Sequence, residues 1–329
     1  MSDKIINIDK LIAITSQDMS RVNDLIIERT LSNTEMIPKI SQYLISSGGK
    51  RLRPMLTIAA SQLCECKNDH YLSLAASVEF MHTATLLHDD VVDDSSMRRG
   101  KLSARMLWGN EASVLVGDYL LGEAFKMMVD AKSLKALEVL SNAAAIIAEG
   151  EVMQLVYSNN ITISQEQYFR IINHKTAKLF SAAAEVGAII SNTSLDIANA
   201  LRDFGLYLGI AFQLTDDALD YSSTKDKLGK DIGDDFYEGK ITFPVIVSYK
   251  KSTDSEKEIW NYLLTKEEKN QDDFYDALKL IQNKNGLETT LEEARIYGQK
   301  AINSLEIFPK SEIKDALIEG VYFSYNRKN

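Results

Sequence analysis

The chain has 329 residues, of which 45% are apolar and 26% charged, as in a globular protein with a large core. A formal net charge of −10 disfavours non-specific nucleic-acid binding, and an anionic substrate would need local cations or metal ions to attract it. The two cysteines, Cys64 and Cys66, cannot make a disulfide framework, and with His70 they give three ligands where a structural zinc site takes four. Reduced thiols and a cytoplasmic location are therefore expected.

The apolar pattern indicates helices from end to end. The N-terminal stretch MSDKIINIDKLIAI carries Asp3 and Asp9 and has no long apolar core, so it does not resemble a signal peptide. Apolar residues recur at intervals of three and four, only four prolines occur, and hairpin turn signals are missing. The sequence predicts an all-α fold, with about ten or more helices in a single domain over residues 1–329.

Membrane insertion is not expected from the sequence. The longest apolar run, AAAIIA at residues 143–148, is far shorter than the roughly 18 residues of a spanning helix. The sequence therefore predicts no transmembrane segment, while contact with a membrane surface stays open.

The first basic motif along the chain is GGKRLRP at residues 48–54. Two glycines permit a tight turn, and Lys50, Arg51 and Arg53 after them suit a phosphate group. The motif is not a Walker A loop, because Leu44 and Arg51 stand where that loop needs Gly and Ser or Thr. A helix end with solvated surface charges remains the alternative.

Two aspartate clusters share the spacing D-D-x-x-D. In a helix, residues four apart lie on one face, so Asp89 stacks with Asp93, and Asp216 stacks with Asp220. Such pairs suit Mg²⁺, which takes one or two carboxylates together with phosphate oxygens. A single cluster would fit a solvated helix face equally well, but two matching clusters favour a metal site. The full clusters are Asp89, Asp90, Asp93 and Asp216, Asp217, Asp220.

The helix that precedes Asp89 turns apolar on the same face. Thr85, His82 and Val78 fall within roughly 40° of Asp89 on a helical wheel, and Met81 lies about 80° away. This face suits a ligand with a charged head and an apolar tail, although ordinary core packing gives the same pattern.

Further basic residues accompany the clusters. Arg98 and Arg99 follow the first cluster, HKTAKLF contributes Lys175 and Thr176, and a glycine-spaced loop after the second cluster contributes Lys230 and Lys240. These are more cations than charge balance requires, which indicates diphosphate or phosphate binding. A di-iron helical bundle is disfavoured, because no second Glu-x-x-His accompanies Glu79-x-x-His82.

The motifs HTATLLHDDVVDDSSMRRGK and GDDFYEGKITFP resemble those of the trans-isoprenyl diphosphate synthases, the head-to-tail prenyltransferases. The resemblance runs from about Gly48 to Pro244 and is closest to the long-chain bacterial branch, especially octaprenyl diphosphate synthases. It implies a single large helical bundle of the isoprenoid synthase type with a central cavity. Asp94, Thr215 and Asp231 depart from the commoner residues of the family, and the role of Asp94 stays unassigned.

The resemblance also implies a reaction and its ligands. Isopentenyl diphosphate condenses onto an allylic diphosphate, with farnesyl diphosphate as the expected primer, to give an all-trans polyprenyl diphosphate near C40 for a quinone side chain. Three Mg²⁺ ions, a homodimer and possible peripheral membrane contact during product release are implied as well. The residue roles it implies are metal binding by both aspartate clusters, catalysis by these with Lys175, isopentenyl diphosphate binding by Lys50, Arg53, His82 and Arg99, allylic diphosphate binding by Arg98, Lys175, Thr176, Gln213, Lys230 and Lys240, and chain-length control by Met81, Ala84 and Thr85.

Two other functions are compatible with parts of this pattern. A class I terpene cyclase would replace the second aspartate motif and lack the basic motif at residues 48–54, but both are present. An inactive regulatory subunit of a heteromeric synthase would have lost aspartates, but all six are intact. Both alternatives are therefore disfavoured.

Overall fold

The computed structural model describes residues 7–222, 233–266 and 268–327, and the part of the chain that it describes is almost entirely helical. The predicted all-α fold is confirmed. The helices in this part are α1 (Asp9–Arg29), α2 (Met36–Ser46), α3 (Leu52–Leu63), α4 (His70–Val92), α5 (Ala104–Trp108), α6 (Asn110–Asp130), α7 (Leu134–Tyr157), α8 (Gln165–Ile172), a π-helical turn (Asn173–Ala177), α9 (Lys178–Ile190), α10 (Leu195–Asp220), α11 (Asp234–Tyr237), α12 (Phe243–Lys250), α13 (Asp254–Thr265), α14 (Gln271–Asn283), α15 (Gly286–Ser304) and α16 (Glu312–Asn326).

A short β-ribbon follows the first aspartate cluster. Strands β1 (Met97–Arg98) and β2 (Lys101–Leu102) pair antiparallel, with Met97 opposite Leu102. The two residues between them, Arg99 and Gly100, have φ angles of 52° and 74°. Positive φ at both positions is what a tight hairpin turn requires, but Arg-Gly is not one of the usual sequence signals. For this reason the sequence contains no usual hairpin signal here.

The core is built around α4 and α10. Helix α4 packs between α3, α6 and α9, and α10 packs against α9 and α15. Small residues allow this close packing: a Cβ on Gly187 of α9 would lie 2.7 Å from the Cβ of Ala60 on α3. Because α4 and α10 are held from several sides, the aspartate clusters at their C-terminal ends have fixed positions.

Helix α4 ends within the first aspartate cluster. The backbone N–H of Asp93 donates to the carbonyl of Asp89 at 2.8 Å, and Asp94 then adopts a left-handed conformation with φ 52°. Its carboxylate accepts a hydrogen bond from Arg105, which also donates to the carbonyl of Ser95 at 3.2 Å. Asp94 therefore has a place in the structure as an anchor of the loop that leads to Arg98 and Arg99.

Helix α7 has an uncovered apolar face. With 24 residues it is long and apolar enough to cross a membrane, and only 22% of its most apolar window is buried within the chain. One such helix is weak evidence for a membrane protein, because helices of soluble proteins pass the same test. The sequence did not indicate a helix of this kind, because its apolar residues are spread along the helix and do not form one contiguous run.

Candidate active site

A cavity of about 950 Å³ opens at the ends of α4 and α10. Loops before α3 and after α4, the π-helical turn and the C-terminal helix α16 complete its wall. The structure brings most of the predicted site residues together here: Lys50, Arg53, His82, Asp89, Asp93, Arg98, Arg99, Lys175, Gln213, Asp216, Asp217, Asp220 and Lys240 line the cavity.

The members of the first aspartate cluster point in two directions. Asp89 and Asp93 line the cavity, and Lys240 Nζ lies 2.7 Å from Asp93 Oδ2. Burial by itself would lower the pKa of Lys240, but Asp93 and Glu238 outweigh it and raise the pKa.

Asp90 is fully buried one position further around α4 and is not part of the cavity wall. Its Oδ1 accepts a hydrogen bond of 2.6 Å from Arg98 Nε, while its Oδ2 has no protein partner. Burial raises the pKa of Asp90. Its predicted metal binding stays a prediction, and in this structure it orients Arg98.

The second aspartate cluster is connected to side chains from distant segments. Asp217 accepts hydrogen bonds from Tyr168 and, at 2.8 Å, from Gln213 Nε2, and Thr176 Oγ1 donates to Gln213 Oε1 at 2.7 Å. Burial raises the pKa of Asp217 to about 7. Asp220 accepts from the backbone N–H of Asp235 at 3.2 Å. These bonds fix the orientation of α10 toward the cavity.

Lys175 and Thr176 lie on the π-helical turn between α8 and α9. An inserted residue of this kind shifts the register of the helix, and such turns are frequent at functional sites. Lys175 Nζ donates to Glu151 Oε2 on α7 at 2.6 Å. Burial raises the pKa of Glu151, and the charges of Asp89 and Asp93 raise it further. The turn thus brings a lysine next to the first aspartate cluster.

Four cationic residues line the cavity beside the clusters and are called the basic wall: Lys50, Arg51, Arg53 and Arg99. The Lys50 ammonium lies 4.0 Å from the ring centre of Phe323, and the Arg53 guanidinium lies 4.3 Å from that of Phe180. Burial lowers the pKa of Arg53 to about 10, and its Nε has no protein partner. A buried donor of this kind suits an anionic ligand.

Gly49 permits Arg99 to lie close to the other residues of this wall. Arg99 donates a hydrogen bond to the carbonyl of Gly48, and a Cβ on Gly49 would lie 2.6 Å from Arg99 Nη1. Gly49 also has a φ of 126°, which side chains rarely adopt. Packing against Arg99 therefore explains Gly49, whereas Gly48 has free space around it and is explained by its positive φ of 88°.

His82 lies on α4 and lines the cavity next to the basic wall. Burial lowers the pKa of His82 well below its ordinary value, and Arg53, Arg99 and Arg98 lower it further. The imidazole is therefore neutral at physiological pH, and it can exchange one hydrogen bond as donor and one as acceptor with a ligand.

Several predicted residues lie outside the wall of this cavity. Thr176 lines a smaller neighbouring cavity of about 120 Å³, together with Lys175 and Lys240. Met81 and Ala84 are buried in the core, and Thr85 is half-buried. Their predicted role in chain-length control stays a prediction. Lys230 and Asp231 lie outside the described residues.

Sequence reasoning missed several residues of the site. Arg327 and Phe323 reach the cavity from α16 and its end, Glu151 holds Lys175, and Tyr168 holds Asp217. None of them lies in a motif that signals diphosphate chemistry.

The donor set fits a hard divalent cation that is only partly ligated by protein. Asp89 and Asp93 from one helix, and Asp216 and Asp220 from another, present carboxylate oxygens to the same cavity. Among the residues that the structure describes, no three acidic, histidine or cysteine side chains come close enough to form a complete metal site. One or two carboxylates are enough for an ion such as Mg²⁺, because phosphate oxygens and water complete its coordination shell.

Comparisons with known proteins agree with this geometry. A family model described as polyprenyl synthetase matches residues 34–281. The chain is 41% identical to octaprenyl diphosphate synthase of Escherichia coli (strain K12), over 98% of this chain and 99% of that protein. Polyprenyl synthase from Caulobacter crescentus CB15, solved with calcium and isoprenyl diphosphate, has a TM-score of 0.96 and 47% identity over 99% of both chains. A decaprenyl diphosphate synthase from Rhodobacter capsulatus has a TM-score of 0.93 and 42% identity, over 98% of this chain and 100% of that one.

This chain therefore belongs to the polyprenyl synthetase family. It has the all-α isoprenoid synthase fold and is an enzyme, a prenyltransferase that makes polyprenyl diphosphates.

Proposed function

We propose that this enzyme adds isopentenyl diphosphate head-to-tail to an allylic diphosphate, starting from farnesyl diphosphate, and that its product is octaprenyl diphosphate. The observation that carries the proposal is the shared cavity, which two aspartate-bearing helix ends and one basic wall line together. Two diphosphates need two groups of positive charge, and the aspartates provide the first group by binding metal. The product would serve as the side chain of a quinone such as ubiquinone.

Asp89 and Asp93 on α4, with Asp216 and Asp220 on α10, would hold the allylic diphosphate through three Mg²⁺ ions, with Asp90 and Asp217 supporting them. When bound, the ions supply Lewis-acid stabilisation of the leaving diphosphate. Lys175, Arg98 and Lys240 add positive charge at the same place, and Lys230 is predicted to do so as well. Thr176 and Gln213 are uncharged, and their predicted contribution is hydrogen bonding. Such preorganised charge favours the state in which the carbon–oxygen bond breaks.

The basic wall would hold isopentenyl diphosphate. Lys50, Arg53 and Arg99 contact its diphosphate, and the neutral His82 donates one hydrogen bond. The double bond then lies toward the allylic carbon, so that attack follows ionisation and a proton is lost at the end. The departing diphosphate would accept that proton, because no side chain of the cavity stands out as the base. The lengthened product becomes the next allylic substrate.

We also propose that the enzyme is a homodimer through α6 and α7. Exposed residues on α7 form a stripe with small side chains in its middle, which allow two helices to approach closely: Ala145, Ala148, Val152, Leu155 and Val156. On α6, Leu115 and Val129 are 67% and 61% exposed. An exposed apolar face that extends over two helices favours a protein partner. Brief contact with a membrane during product release, and a cytoplasmic location, complete the proposal, and the two free thiols support the latter.

The decisive experiment incubates purified enzyme with Mg²⁺, isopentenyl diphosphate and farnesyl diphosphate and reads product length by mass spectrometry. Products with added five-carbon units up to octaprenyl are expected. A cyclic hydrocarbon, or no condensation at all, would contradict the proposal.

A further inference from the structure

Two charged residues of the sequence motifs have no role in the proposed reaction. Arg51 lies in the middle of the motif at residues 48–54, and Glu79 lies three residues before His82 on α4. In the structure these two residues face each other. Arg51 Nε lies 4.0 Å from Glu79 Oε1, the side chains are 21% and 13% exposed, and both line the cavity.

Arg51 is fixed by contacts with three separate helices. Its Nη1 donates to Asn23 Oδ1 on α1, its Nη2 donates to the carbonyl of Ile45 on α2 at 3.4 Å, and Glu79 attracts it from α4. Its backbone adopts the left-handed conformation, with φ 48°, directly before α3 begins. Because Lys50 directly precedes Arg51 and Arg53 follows two residues later, the position of Arg51 also constrains theirs.

Glu79 is the acidic residue of the basic wall. Burial raises its pKa, while Arg51, Arg53 and Arg99 act in the opposite direction and favour the ionised form. Like charges at short distance repel, so a carboxylate among these arginines lets them lie together. With Lys50 the wall has four cations and one anion, a net charge of about +3 (four minus one). A fully ionised alkyl diphosphate carries the same charge with opposite sign.

We propose that Glu79 is a positioning residue for isopentenyl diphosphate. Through Arg51 it fixes Lys50 and Arg53, and through its own charge it keeps Arg99 beside them, in the arrangement that receives one diphosphate. The inference rests on the proposed function, since it assigns isopentenyl diphosphate to the basic wall. It also explains why a buried carboxylate is tolerated in a site for an anion.

The test measures steady-state kinetics of Glu79→Gln, which keeps the size of the side chain and removes its charge. The KM for isopentenyl diphosphate should rise about tenfold, which corresponds to about 1.4 kcal/mol of lost binding, while the KM for farnesyl diphosphate and kcat change less than about twofold. Arg51→Gln should have the same effect, and the double variant should be no worse than either single one. Glu79→Asp, which keeps the charge, should restore part of the affinity.

Arg21→Gln is the matched control. Arg21 also pairs with a carboxylate, that of Asp69 at 2.5 Å, but this pair lies on an exposed surface and does not line the cavity. It should leave both KM values unchanged. An unchanged or lower KM for isopentenyl diphosphate in Glu79→Gln would overturn the proposal, and a lower value would mean that Glu79 only repels the substrate. Equal changes in both KM values, with a lower Tm, would assign it a purely structural role. If Glu79→Gln does not fold, Arg51→Gln decides by the same criteria. Turnover of the wild type tests the proposed function separately.

Discussion

Arg327 donates a hydrogen bond from Nη2 to Asp216 Oδ1 at 2.5 Å, so a cation from the end of the chain lies on the second aspartate cluster. Its guanidinium also lies 3.8 Å from the ring centre of Phe212. Lys240 contacts Asp93 in the same manner. The chain thus supplies its own counter-charges to the aspartates, which explains how so many carboxylates are tolerated close together.

Removal of Arg327 should strengthen metal binding in the absence of substrate. Arg327→Gln deletes a cation that competes for Asp216, so Mn²⁺ should bind about three- to tenfold more tightly, as measured by isothermal titration calorimetry. Arg295→Gln, which removes an exposed pair with Glu292 on α15, is the control. An affinity that is unchanged or lower would show that Arg327 does not compete with metal.

Asp89→Ala should abolish nearly all turnover while the protein stays folded. Asp89 lines the cavity, and without it the leaving diphosphate loses a metal ligand, so kcat should fall by at least about a thousandfold. Circular dichroism checks the fold. Asp276→Ala, at an exposed pair with Lys279, should retain full activity. Wild-type turnover by Asp89→Ala would refute the assignment of the first cluster.

Larger side chains below the first cluster should shorten the product. Thr85 is half-buried one turn before Asp89, and Ala84 is buried beside it. Thr85→Phe alone, and more strongly Ala84→Phe with Thr85→Phe, should move the main product to fewer five-carbon units, as read by mass spectrometry. A folded double variant that still makes products of wild-type length would mean that the growing chain runs elsewhere.

Asp217 should make the metal-free enzyme less stable as pH rises. Its pKa is about 7 in the folded protein against an ordinary value of 3.8, so between these values the native state holds a proton that the unfolded state has released. Stability therefore falls as pH rises through this window, up to about pH 7. In EDTA, the Tm of Asp217→Asn minus that of the wild type should increase by a few degrees from pH 4.5 to 7.5.

The comparison with Asp217→Asn is needed because His82 acts in the opposite direction. Its pKa is lowered in the folded state, so its contribution to stability is lost as pH falls below about 6.5. The difference between variant and wild type cancels this contribution. Asp276→Asn serves as an exposed control, and a Tm difference that does not depend on pH would contradict the raised pKa of Asp217.

Charge on the apolar face of α7 should separate the subunits. Val152 is 60% exposed on this face, and Val152→Lys would place a desolvated ammonium in the proposed interface. Light scattering after gel filtration should then report the monomer mass of 36.9 kDa instead of twice that value. Ile259→Lys, at an exposed position on α13, should leave the mass unchanged. A wild-type monomer would rule out the interface.

Much of the site could be predicted from the sequence, because its motifs are short and lie at helix ends. The spacing of Asp89 and Asp93 placed both on one face of α4, and both line the cavity. The same spacing places Asp90 about 100° further round, where the structure turns it toward Arg98. The cluster alone did not show this, because only the neighbouring helices decide which face of α4 meets the cavity.

By itself, the sequence determined the helices and the positions of the two aspartate clusters, because helical hydrogen bonds and side-chain stacking join residues only three or four apart. The tertiary structure decided which cation lies on which carboxylate. Arg327 and Asp216 are 111 positions apart, and Lys240 and Asp93 are 147 apart. Pairs of this kind depend on how α4, α10 and α16 pack against their neighbours, and no local pattern contains that information.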